Sequence, residues 1–300
     1  MRHLAATLLL ALTVALALGV PAPASAAPSL DPYRGLGTWI DIYDDAQFAA
    51  PERTVAKIAA RGARTIYLET GNFRQRTALV RRNRLSRFLD AAHARGIAVV
   101  AWYLPGFRAG PRDLRRSLAA IRFRSAGGQA FDSFALDIED GAVKPVSRRN
   151  QRLLSLSARL RRAVGPDYAL GAIIPNPRGM ELRRGYWRAF PYAELARLYD
   201  LFVPMVYSTY RGDGAAVVRR DVDRSMTILR TKTGRPDQPV HLIGGLADDM
   251  SRAESREFAR RVAALRPLGW SLYDFSVTSS AAWAALRPLD RLTPAGLRVR

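Results

Sequence analysis

Residues 131–141 read Phe131-Asp132-Ser133-Phe134-Ala135-Leu136-Asp137-Ile138-Glu139-Asp140-Gly141. Side chains alternate between the two faces of an extended strand, so Phe134, Leu136 and Ile138 form one apolar face while Asp137 and Glu139 share the other. Gly127 stands before this run as a helix stop, and Ser147 stands after it as a helix N-cap. The stretch therefore predicts a strand from 134 to 139 between two helices, ending in two adjacent acids. Like charges held that close cannot both ionise freely, and burial in a cleft pushes the same way. A carboxyl kept protonated near neutrality is a ready general acid.

The same unit recurs along the chain. Apolar runs at 36–43, 65–69, 98–104, 134–139, 169–174, 201–207, 240–244 and 270–275 each end in a polar, aromatic or glycine-rich patch. Helical segments lie between them: Pro51 suits a first helical position, Ser251 with Glu254 fits a capping box, and Gly62, Gly96, Gly127 and Gly165 suit helix ends. Eight strictly alternating units predict an α/β fold, a single (β/α)8 TIM barrel over 27–300. An open doubly wound sheet is the rival, but Tyr43-Asp44-Asp45 stands where its glycine-rich phosphate loop would be. Residues 289–300 read as a basic tail.

Residues 1–26 carry Arg2 and His3, an apolar run over 4–20 and Ala24-Ser25-Ala26, the pattern of a secretory signal peptide. The mature chain is expected to begin at Ala27, to be secreted, extracellular or associated with the cell wall, and to act as a monomer with no stable membrane insertion. The absence of cysteine excludes disulfides and thiolate chemistry. The formal charge is +21, yet only Lys57, Lys144 and Lys232 of the 47 basic residues are lysine and the arginines are scattered over the chain. No nucleic-acid motif accompanies them, so nucleic acid is not expected as a partner, whereas anionic wall polymers are.

Barrel chemistry sits at the C-terminal ends of the strands. Those ends offer Asp41 and Tyr43, Glu69, Trp102 and Tyr103, Asp137 and Glu139, Asn176, Met205 and Tyr207, then Tyr273, Asp274 and Phe275. Rings that cover the apolar faces of pyranoses, mixed with acids that bond hydroxyls and protonate a leaving oxygen, are the equipment of a glycan site. His241 lies early in its strand and His93 in a helix, so neither metal nor cofactor is expected, and no mouth histidine serves a serine triad.

The stretch from Asp132 to Glu139 resembles, without a gap, the D-G-x-D-x-D-x-E signature of the family 18 (chitinase-like) glycoside hydrolases, and Met205-Val206-Tyr207 resembles their sixth-strand M-x-Y-D. The resemblance implies a glycosidase with Glu139 as general acid. It implies further that Asp137 and Tyr207 steady a substrate acetamido group that acts as nucleophile. The chain departs from the pattern at Ser133, Ala135, Ser208 and Tyr273, and Ala135 replaces the innermost aspartate. The D-x-E together with Asp41 also resembles, more weakly, the family 25 muramidases. If the acetamido route does not operate, Glu69, Asp41 or Asp274 could supply the second carboxylate. A lectin-like barrel that binds glycan without cleaving it is the alternative from another class.

Overall fold

The computed structural model describes residues 27–292 except residue 184, so the expected signal peptide lies outside the described residues. Eight strands close in sequence order into a parallel barrel: β1 (Gly35–Ile40), β2 (Thr65–Asn72), β3 (Ala98–Leu104), β4 (Ser133–Asp137), β5 (Leu170–Pro175), β6 (Leu201–Met205), β7 (His241–Leu246) and β8 (Gly269–Tyr273). The outer layer comprises α1 (Asp45–Ala49), α2 (Pro51–Ala60), α3 (Arg82–His93), α4 (Gly110–Ile121), α5 (Val146–Val164), α6 (Pro177–Leu182), α7 (Tyr192–Leu195), α8 (Ala215–Thr233), α9 (Arg252–Leu265) and α10 (Ser280–Leu286). No helix among the described residues is long and apolar enough to cross a membrane.

The two-residue period of the strands divides the core into two layers. Phe134, Leu136 and Ile138 pack outward against the helices with Ile66, Leu68, Ala172 and Phe202. Ala135 faces the barrel interior with Trp39, Tyr67, Val100, Trp102, Ile173, Val203 and Ile243. The floor of the barrel is closed by hydrogen bonds between buried groups. The Tyr33 hydroxyl donates to the Phe134 carbonyl at 2.9 Å, and the Ser133 hydroxyl lies 2.8 Å from both Tyr33 Oη and the Ala169 carbonyl, either of which can accept its one proton. A Cβ at Gly269 would overlap the His241 ring and the Tyr33 carbonyl, so only glycine lets β8 enter there.

Pro51 opens α2, and the Ser251–Glu254 capping box opens α9. Several local expectations are corrected. Ser147 is inside α5, which begins at Val146 behind Pro145 and has no side-chain cap. The glycine with positive φ before β4 is Gly128 (φ 78°), not Gly127, which lies tight against the Asp90 carboxylate. No tail begins at residue 289: a 3-10 segment, Arg287–Leu292, follows α10, and Leu289 is buried in the core.

Strand ends also differ from the expected bounds. β4 stops at Asp137, although the Ile138 amide still bonds the Ile173 carbonyl at 2.8 Å, which leaves Glu139 just beyond the strand. β2 runs on to Asn72 through an irregularity between Glu69 and Gly71.

Candidate active site

Asp137 projects from β4 into the barrel mouth, deeply buried, and its Oδ1 has no hydrogen-bond partner. Burial raises its pKa well above the usual carboxylate range, and the charges of Glu139 and Glu69 push the same way. Glu139, half-buried, is raised by burial and by the Asp140 charge, while Arg74 opposes the rise. The Tyr186 hydroxyl donates to the Glu139 carbonyl at 2.9 Å and so holds the backbone of the acid.

Glu69, on the inner face of β2, is almost fully buried. Its Oε2 accepts from the Ile42 amide at 3.0 Å and its Oε1 from Asn72 Nδ2 at 3.3 Å. Desolvation still dominates, and with the charges of Asp41 and Glu139 it pushes the Glu69 carboxyl up to about 8. Three carboxyls from β2 and β4 thus share one electrostatic environment that favours protonation.

Beside Glu139 opens a cleft of about 220 Å³ lined by Asn176, Arg183, Tyr186, Met205, Tyr207, Tyr210 and Arg211, among others. Tyr207 lies within the fields of Glu139 and Asp137, which reinforce the effect of burial on its hydroxyl. Asn176 lines the cleft, but its Oδ1 already accepts from the Gly179 amide and the Ser225 hydroxyl, and its Nδ2 reaches Asp221. Its first duty is therefore to cap α6.

On the β8–β1 side, Tyr273 Oη donates to Asp41 Oδ2 at 2.6 Å, and Asp41 Oδ1 accepts from the Tyr43 amide at 2.7 Å. Asp41, Asp44 and Asp274 bring carboxylate oxygens within 4.8 Å of one another. Oxygen donors of this kind suit a hard divalent cation. Each is also engaged within the protein: Asp44 accepts from the Asp41 amide, and Asp274 from the Ser276 amide. Burial and the Asp274 charge push Asp44 up to about 7, so a proton on Asp44 relieves the repulsion.

Of the residues expected at the mouth, Asp41, Tyr43, Glu69, Trp102, Asp137, Glu139, Asn176, Met205, Tyr207, Tyr273 and Asp274 all reach it. Trp102 faces inward, edge-on to Trp39 at 5.9 Å, with no partner for its buried Nε1. Tyr103 does not reach the mouth. Its neighbour Trp102 takes the inner face, so Tyr103 points outward into the helical layer and its hydroxyl donates to Asp113 Oδ1 in α4 at 2.8 Å. Asp132, first acid of the D-x-x-D-x-D-x-E-like stretch, lies at the opposite end of β4, bonded to His93 and to the Val99 amide.

Sequence reasoning did not pick out Asn72, Arg74, Asp44, Tyr186, Tyr210, Arg183 and Arg211 as site residues. Asn72 lies past the expected end of β2, Tyr210 and Arg211 sit in a 3-10 turn, Ser208–Arg211, and the others on connecting segments without periodic pattern. The Tyr43-Asp44-Asp45 run after the first strand was the one signal available for Asp44.

No protein-family model matches the chain, and no curated protein matches it by sequence. Solved structures do. The endo-β-1,4-mannanase from Thermotoga petrophila matches with a TM-score of 0.66 at 11% identity, over 90% of this chain and 78% of that one. A chitinase from Chromobacterium violaceum matches with a TM-score of 0.61 at 12% identity, over 87% of this chain and 100% of that one. A glycoside hydrolase family 18 N-acetylglucosaminidase from Paenibacillus barengoltzii gives 0.55 at 12%, over 85% and 99% of the two chains. The chitinase-like resemblance of the fourth strand thus extends to the fold, a (β/α)8 barrel of the kind found in chitinases and mannanases.

Proposed function

We propose that the chain is a glycoside hydrolase with Glu139 as general acid. The observation that carries this reading is half-buried Glu139 on the wall of a tyrosine-lined cleft beside deeply buried Asp137, both in surroundings that favour the protonated form. Glu139 delivers its proton to the glycosidic oxygen as the C–O bond breaks, and is left ionised to take a proton from the incoming water. Asp137, on the same face, tunes that proton. The charge developing at the anomeric carbon is met by a substrate acetamido group beside Asp137 and Tyr207, or by a second carboxylate. The candidates for the latter are Glu69, Asp41 and Asp274, each of which already accepts hydrogen bonds within the protein. Secretion after removal of residues 1–26, action as a monomer and association of the arginine-rich surface with anionic wall polymers belong to the same proposal.

One observation favours a carbohydrate-binding protein instead. Ala135, two residues before Asp137 on the inner face, offers it no hydrogen bond, and Asp137 Oδ1 is left without a partner. Reducing-end release by residues 27–300 from chitin oligomers, mannan, peptidoglycan and a galactosaminoglycan separates the two readings. Glu139→Gln is expected to lower turnover by about 10² to 10⁴-fold. Unchanged turnover removes Glu139 from the role, and glycan binding without any turnover by wild type selects the lectin-like reading.

A further inference from the structure

Among the described residues, the large apolar side chains left exposed are Tyr43, Leu182, Tyr186, Tyr210 and Val277. Single exposed apolar residues are ordinary, but these all lie on segments that follow strands β1, β5, β6 and β8, at the mouth. In a closed eight-stranded barrel β1 lies opposite β5, and β2 opposite β6. Tyr43 follows β1, is 65% exposed, and its hydroxyl accepts from Asn72 at the end of β2 at 3.3 Å. Tyr210 follows β6 and is 63% exposed, with Tyr186, from the segment after β5, on the wall of the same cleft. The exposed tyrosines thus stand on opposite rims. Strands about 4.8 Å apart and tilted about 36° make such a barrel about 15 Å across, room for several linked sugar rings.

Between the rims the floor is aromatic. Ring centroids run from Tyr210 to Tyr207 at 5.9 Å, on to Tyr273 at 6.2 Å, to Trp39 at 6.3 Å and to Trp102 at 5.9 Å. Glu139 stands between the two ends. It forms part of the Tyr210 cleft, it feels Arg74 from the β2 side, and its charge reaches Glu69 on β2. A linear chain that extends to both sides of the acid needs a ring to stack on at each end, and here each rim presents an exposed tyrosine.

We infer that the mouth binds a linear polysaccharide laid across the barrel from Tyr43 to Tyr210, with sugar units on both sides of Glu139, and cleaves it at internal linkages. This rests on the glycosidase reading above and adds the polymer and the mode of attack.

The test is digestion of glycol chitin, β-1,4-mannan and a soluble galactosaminoglycan, following chain length by size-exclusion chromatography and reducing ends in the same samples. Chain length is expected to collapse while few reducing ends have appeared. Tyr43→Ala and Tyr210→Ala are each expected to raise KM on the cleaved polymer about two- to tenfold, the worth of one aromatic contact. Phenylalanine at either position is expected to restore it, and thermal unfolding checks that these surface changes leave the fold intact. Release of only mono- or disaccharide from polymer that otherwise keeps its length overturns internal cleavage while leaving the glycosidase reading standing. A KM effect at only one of the two tyrosines overturns the two-sided site. No reducing ends from wild type on any polymer overturns the glycosidase reading itself.

Discussion

Tyr273 Oη donates a 2.6 Å hydrogen bond to Asp41 Oδ2 and ties the end of β8 to the end of β1 where the barrel closes. The backbone ladder between these strands pairs only Gly35 with Gly269 and Leu36 with Trp270, near the floor. Toward the mouth the seam is held by Trp39 Nε1 donating to Ser271 Oγ at 2.8 Å, the Phe275 amide donating to the Trp39 carbonyl at 3.1 Å, and the Tyr273–Asp41 bond. Tyr273→Phe removes one of these ties and leaves a half-exposed carboxylate that water can reach. A loss of about 1 kcal/mol in urea unfolding is expected.

Two charges act on Glu139 in opposite directions, Asp140 raising its pKa and Arg74 lowering it. A general acid works only while protonated, so activity falls as pH rises through its pKa. Arg74→Ala is expected to move the alkaline limb of the kcat/KM profile to higher pH, and Asp140→Asn to move it to lower pH. The asparagine keeps the oxygen that accepts from the Ala142 amide at 2.8 Å, so the loop is preserved. Limbs that do not move, or that move together, remove Glu139 as the group observed.

Glu69 is pushed from 4.5 up to about 8, first by burial. Over that window the folded protein holds a proton that the unfolded chain has released, so its stability is full below about 4.5 and declines as pH rises toward 8. Glu69→Gln cannot lose this proton. The difference between urea midpoints at about pH 5 and about pH 8.5 is expected to shrink in the variant, and an unchanged difference would assign the decline to other groups.

Tyr103 tests the division between the two faces of β3. Its hydroxyl satisfies Asp113, which also accepts from the Phe107 amide at 3.1 Å, all in buried surroundings. Tyr103→Phe is expected to cost about 1 to 3 kcal/mol of stability by leaving a buried acceptor short of a partner. KM for glycan is expected to stay at the wild-type value, because the side chain never reaches the mouth.

Much of the fold was legible because parallel strands buried on both faces read as short apolar runs, and helix stops and caps separate them. The alternation across Phe134, Leu136 and Ile138 placed Asp137 on the inner side with Ala135, whereas Glu139 lies just beyond the strand on the wall of the cleft. The same rule, applied to Trp102 and Tyr103, excludes one of two adjacent residues from the mouth. Which one depends on strand rotation in the barrel, and a chain of local signals does not contain it.

The sequence by itself determined the order of eight β/α units, the inward face of β4 and the acids that end it, because these follow from periods of two and 3.6 residues along one segment. Tertiary structure alone decided the rest. It brought Glu69 from β2 into the field of Asp137 and Glu139, and gathered Asp41, Asp44 and Asp274 across the β8–β1 seam. It also buried Asp137 and Glu69 deeply enough to hold protons. Desolvation and Coulomb interaction depend on distances through space, and only closure of the barrel makes residues far apart in the chain neighbours.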